Sequence, residues 1–165
     1  MNAGALKPTP VPSAFEIREV FQGLLGREVT WEGTSHQVDP LDGAVCGVYA
    51  DDFGNLAALI LADVPLVAWA GSAIALLPLA GAEQSVADNL VTPAQFDNFS
   101  EILNVAASMF NKRDTPHLKL QEAFAPRETL PAEAQKWVLF PASRIDGTLT
   151  VQGYGEGRIS VVVAY

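Results

Sequence analysis

The chain has 165 residues, enough for one sizeable hydrophobic core. Ten Lys+Arg against 19 Asp+Glu give a net charge of −9, which excludes a surface built for phosphate backbones, and nucleic acid is not an expected partner. With 49% apolar and 18% charged residues the chain is no disordered tail, and a single Cys and two His leave no internal disulfide and no zinc site.

The first residues, MNAGALKPTPVPSAF, contain three prolines and no apolar run of signal-peptide type, so residues 1–12 read as an extended arm and 13–165 as the domain. The cysteine usage and the lack of a leader pattern point to a reduced, cytoplasmic setting. Ser13 is placed to cap a helix over FEIREVFQGLL, with Phe15, Val20, Phe21, Leu24 and Leu25 as its apolar face and Gly26 as its stop. REVTWEG alternates as a strand, and HQVDPLDG is a turn-rich connector. AVCGVYA and NLAALILA, joined by DDFG, form a hairpin of buried strands.

The uncharged stretch 64–82, VPLVAWAGSAIALLPLAGA, is long enough to cross a bilayer. It lacks flanking cations, since no Lys or Arg occurs between Arg27 and Lys112, and Pro65 and Pro78 bracket 12 residues. The expectation is one buried helix capped by Asp63, and no membrane span.

Thr92, Pro93 and Gln95 spell T-P-x-Q, a capping Thr, a proline at the first helical position and a reciprocal Gln. The helix they open is expected to run to about Asn111. HLKLQEAFA then reads as a strand, PRETLPAEAQ as a loop, KWVLF as a short strand, and TLTVQGY–GEG–RISVVVAY as a hairpin turning at Gly155–Gly157. The fold class is therefore α+β, an antiparallel sheet carrying helices, with the C-terminal apolar strand as an edge through which two copies could pair.

On the 93–111 helix, taking Asp97 as zero, Glu101 falls at about 40°, Asn104 at about 340° and Ser108 at about 20°. These four share one narrow polar line. Phe96, Phe99, Leu103, Ala106 and Phe110 lie opposite as the core face, while Val105 and Met109 border the line. A solvated helix face explains such a line without any chemistry. The fuller spacing, Asp97-x3-Glu101-x2-Asn104-x21-Pro126, narrows the choice. At residue frequencies of about 5% such a four-position match arises by chance on the order of once in a thousand chains of this length.

This pattern resembles the active-site pattern of the CheC/CheX/FliY phosphatases of bacterial chemotaxis. The single Glu/Asn copy and the preceding DVPLVAWAGSAIALLP segment are similar to the single-copy CheX-like branch. The first helix offers only Glu19-x2-Gln22, with Phe15 and Ala44 where the family has Asp or Ser and Pro, and reads as a pseudo-repeat without a second site. Two features depart from the pattern, the glycine-free VAASMFN after Asn104 and the Pro-rich arm.

The resemblance implies a phosphatase acting on the aspartyl phosphate of a CheY-like receiver domain. Asn104 would position the attacking water and Glu101 would dock a receiver lysine, with Asp97, Ser108 and Pro126 in supporting places. The receiver would supply Mg²⁺, so the chain needs no metal or cofactor of its own, and a homodimer is expected. The rival from another class is a non-catalytic receiver-binding or flagellar-switch-like adaptor using the same helix face. Gly153-x-Gly155-x-Gly157 sits between strands and opens no helix, so it is a turn and not a nucleotide loop. Asp51 and Asp52 fit tight-turn chemistry, Cys46 fits a core position, His36 and His117 fit the surface, and Ser72 lacks a nucleophile elbow.

Overall fold

The computed structural model describes residues 5–138 and 143–164. Residues 5–13 form neither helix nor strand; the Lys7 N–H donates to the Asp114 carbonyl, and Val11 packs against the core. Helix α1 (Ala14–Leu25) opens on a reciprocal Ser13–Glu16 cap and closes at Gly26, whose φ of 64° suits glycine. Its buried face is Ile17, Phe21 and Leu25. Phe15, expected on that face, is 63% exposed and lies under the Arg18 guanidinium.

Strand β1 (Val29–Gly33) precedes the hairpin β2 (Ala44–Ala50) and β3 (Leu56–Asp63). The Asp51 carboxylate shapes the hairpin turn by accepting the N–H groups of Phe53 and Asn55. Asp63 caps helix α2 (Val64–Ala73) with Pro65 in the first turn, as the sequence indicates, and every residue of α2 but Pro65 is buried.

The 64–82 stretch is not one helix. Helix α2 ends at Ala73, Leu76 takes a left-handed φ of 54°, and the Leu77 N–H closes back on the Ser72 carbonyl. Helix α3 (Leu79–Asp88) starts afresh after Pro78, which has no N–H to continue the ladder. Among the described residues no helix is long and apolar enough to cross a membrane.

Helix α4 (Pro93–Ala106) follows, then a single 3₁₀ turn (Ala107–Met109) and strand β4 (Lys119–Phe124). Helix α5 (Ala132–Val138) replaces the expected loop and the start of the expected KWVLF strand; Leu139 and Phe140 of that segment lie outside the described residues. Strands β5 (Ser143–Val151) and β6 (Gly155–Val163) form the last hairpin. Its turn runs through Gly153 at φ 82°, so Gly155 and Gly157 belong to the strand and not to the turn.

The six strands form one antiparallel sheet in the order β1-β5-β6-β3-β2-β4. The C-terminal strand is therefore not an edge: β6 is paired on both sides, by β5 and β3, and among the described residues β1 and β4 are the edge strands. One face carries α1, α2 and α4 over Tyr49, Ile60, Leu149 and Val161; the other is covered by α5 over Cys46, Val48, Leu61 and Val162. The glycines of β6 let α2 lie directly on the sheet. A Cβ at Gly157 would stand 2.3 Å from the Leu66 nitrogen, and one at Gly155 would stand 2.6 Å from the Trp69 ring.

Candidate functional site

The expected T-P-x-Q start of α4 is present as a full capping box. The Thr92 hydroxyl accepts the Gln95 N–H at 3.2 Å, and the Gln95 carboxamide oxygen accepts the Thr92 N–H at 2.9 Å. Phe99, Ile102, Leu103 and Ala106 bury the inner face. Asn98 donates to the Gly71 carbonyl at 2.8 Å, and Gly71 has no Cβ because Gln95 O would be only 2.5 Å from it. The rings of Phe21 and Phe99 meet at 6.2 Å and bring α1 alongside.

Asp97, Glu101 and Asn104 stand on the opposite face, exposed and about one turn apart. Ser108 is also exposed, although it belongs to the 3₁₀ turn and not to the α-helix expected to reach Asn111. Among the described residues none of these four side chains has a hydrogen-bond or ion-pair partner. The same tightening changes the neighbours of the line. Val105 is 45% exposed, as its place beside the line suggests, but Met109 is turned inward and only 2% exposed. Phe96, placed on the core face by its spacing, is half-buried against it.

Pro126 lies two residues beyond β4, in a turn where the Glu128 carboxylate accepts the Ala125 N–H at 2.9 Å. Its Cβ is 3.7 Å from the point a Cβ on Gly43 would occupy. It stands at the strand end beside Gly43.

Helix α1 does not repeat the site. Gln22, the counterpart of Asn104 in the pseudo-repeat, uses its carboxamide oxygen to accept the Val29 N–H at 3.2 Å, and Glu19 is paired with Arg18. Two side chains that hold α4 in place, Asn98 and Tyr49, were not marked out by any sequence pattern. Tyr49 lies in an apolar strand, and its hydroxyl donates to the Leu103 carbonyl at 2.5 Å.

Elsewhere the chemistry is spare. A cavity of about 460 Å³ lies between Asp39–Leu41, Arg127–Leu130 and α5, and among the described residues no Ser, Cys or His lines it. Among the described residues no group of three or more His, Cys, Asp or Glu could hold a metal ion. Backbone hydrogen bonding from Asn55 holds the Asp51 carboxyl below its ordinary value, as expected of a turn residue. Cys46 is buried and its thiol is pushed up to about 12 by desolvation. His36 is exposed, His117 is exposed near Asp52, and Ser72 is buried.

No protein-family model matches the chain, and no curated protein sequence matches it. Solved structures do. A chain of the FliM–SpeE complex from H. pylori aligns over 91% of this chain and 80% of its own, with a TM-score of 0.60 at 9% identity. FliY from Thermotoga maritima aligns over 90% and 83%, with a TM-score of 0.52 at 12% identity. A chain of the CheX–CheY–BeF3–Mg²⁺ complex from Borrelia burgdorferi aligns over 91% and 94%, with a TM-score of 0.54 at 10% identity.

The chain has the CheC/CheX/FliY fold. The likeness is one of backbone, and it covers nearly the whole chain rather than a fragment. The neighbours span FliM, FliY and CheX, and the likeness to them is one of fold. Side-chain roles follow from the chemistry of the exposed line itself.

Proposed function

We propose that this chain is a CheX-like phosphatase that hydrolyses the aspartyl phosphate of a CheY-like receiver domain in the cytoplasm. One observation carries the reading: Glu101 and Asn104 stand one turn apart on a firmly anchored helix, exposed, with no partner among the described residues. A carboxamide in that position has one acceptor and two donors free, so it can hold a water in line with a phosphorus atom. A carboxylate there would repel the phosphoryl oxygens.

Glu101 would pair with a receiver lysine and fix the depth to which α4 enters the partner. Asp97, one turn earlier, would meet the rim of the same surface. Ser108 would meet its far end, and Pro126 would support the strand end beside Gly43. The aspartate carboxylate is a good leaving group from phosphorus, so the work left to the phosphatase is positioning, and the Mg²⁺ that neutralises the phosphoryl charge would come with the receiver as part of the substrate. The CheX–CheY complex among the structural neighbours supports this partner class.

The test is the lifetime of the phosphoryl group on phosphorylated receivers, with and without the protein. The wild type should shorten it, and Asn104→Ala should abolish the acceleration. Full activity in that variant would end the reading. The FliM-containing neighbour favours a second reading, a non-catalytic adaptor on the same face. Phosphorylation-dependent capture of a receiver with unchanged phosphate lifetime would decide for it.

A further inference from the structure

We infer that the Tyr49 hydroxyl is a positioning group for Asn104, fixing where α4 ceases to be α-helical and so where the carboxamide points. The inference rests on the phosphatase reading of the same helix.

In a continuous α-helix the Leu103 carbonyl would accept the N–H four residues on, from Ala107. Here the Ala107 N–H turns to the Val105 carbonyl and the chain tightens into the 3₁₀ turn Ala107–Met109. The Leu103 carbonyl, in the last turn before this change, accepts the buried Tyr49 hydroxyl at 2.5 Å. That carbonyl and the Asn104 nitrogen belong to one planar peptide unit. A bond that fixes the Leu103 oxygen therefore fixes the plane from which the Asn104 side chain springs.

The strand is built around this contact. The pairing of β2 shifts register between Val48 and Tyr49 on the β4 side and between Tyr49 and Ala50 on the β3 side. Such irregularities re-aim side chains and are common beside functional sites. Gly47, two residues earlier on the same face, leaves room for the Leu103 methyl groups, which would be 3.2 Å from a Cβ there. The Phe110 ring braces the phenol at 5.0 Å between centroids. Phenylalanine would fill this space equally well; the hydroxyl is what reaches the helix.

The experiment compares wild type, Tyr49→Phe, Asn104→Ala and the double variant on receivers phosphorylated with radiolabelled acetyl phosphate. Side-chain amide NMR spectra of the same proteins accompany the kinetics. Tyr49→Phe should lower kcat by about ten- to a hundredfold, the effect of a misplaced catalytic group, with KM for the receiver unchanged because Asp97 and Glu101 lie upstream. The Asn104 carboxamide signals should move while those of Asn98, tied to Gly71, stay in place. In the Asn104→Ala background the second change should have no further effect.

Wild-type kcat with an unmoved Asn104 signal would overturn the inference. So would equal movement of the Asn98 and Asn104 signals, which marks general loosening. If Asn104→Ala itself leaves dephosphorylation unaltered, the phosphatase reading fails. The Asn104 spectrum then decides the positioning claim by itself, a moved signal sustaining it and an unmoved one refuting it.

Discussion

The Ser85 hydroxyl donates to the Gln95 carboxamide oxygen at 3.0 Å, and both side chains are almost fully buried. The same oxygen accepts the Thr92 N–H, so one atom closes the start of α4 and ties it to α3. Gln95→Ala removes both bonds at once; the Thr92 N–H loses its acceptor, while the Ser85 hydroxyl keeps the Gly81 carbonyl at 3.1 Å but no longer ties α3 to α4. Stability should fall by about 1–3 kcal/mol, read as a lower midpoint in urea. An unchanged midpoint would show that the cap carries nothing.

Two glycines should respond to alanine with opposite signs. Gly157→Ala drives a methyl into the Leu66 backbone and should destabilise by about 1–3 kcal/mol or more. Gly81 lies within α3, where an added Cβ meets nothing within 4 Å. Gly81→Ala should therefore stabilise by about 0.5–1 kcal/mol. Thermal unfolding of the two variants checks both signs.

Burial raises the Cys46 thiol from an ordinary 9.0 to about 12. The native thiol keeps its proton while the unfolded chain loses it above pH 9.0, so the unfolded state binds fewer protons there. This contribution to stability is complete below pH 9.0 and is lost progressively as pH rises towards about 12. At pH 8 the folded protein should resist alkylation by iodoacetamide, and urea-unfolded protein should react at the rate of a free thiol. Equal rates in the two states would contradict the buried position.

Glu101→Gln separates docking from water positioning. An exposed side chain without internal partners should alter stability by less than about 0.5 kcal/mol. Binding of a phosphorylated receiver should weaken by at least about tenfold, the loss expected of a hydrogen bond to a charged group. The difference should shrink with added salt, as an exposed charge pair requires. Isothermal titration at two ionic strengths gives both numbers.

Local chemistry was readable in the sequence; events without a local signal were not. The Ser13–Glu16 and Thr92–Gln95 caps, the Asp63 start of α2 and the β2–β3 hairpin all follow from side chains acting within a few residues of one another. The polar line on α4 follows from helical spacing alone. The break after Ala73 was hidden because Leu76, not glycine, takes the left-handed position, so no residue type announced it. Helix α5 was hidden because a short apolar run such as KWVLF suits helix and strand alike. Strand order depends on pairing across the whole chain, which is why β6 looked like an edge although it lies near the middle. Met109 turned inward for a related reason: the chain passes into a 3₁₀ turn after Ala106, and no residue of the local sequence announces that change.

The bond between Gln22 and the Val29 amide bears on stoichiometry. The Gln22 oxygen is occupied at the start of β1, so of the matched pair Gln22 and Asn104 only Asn104 offers, among the described residues, an amide head without a partner. Titration with any client that requires such a head should saturate at one equivalent per chain.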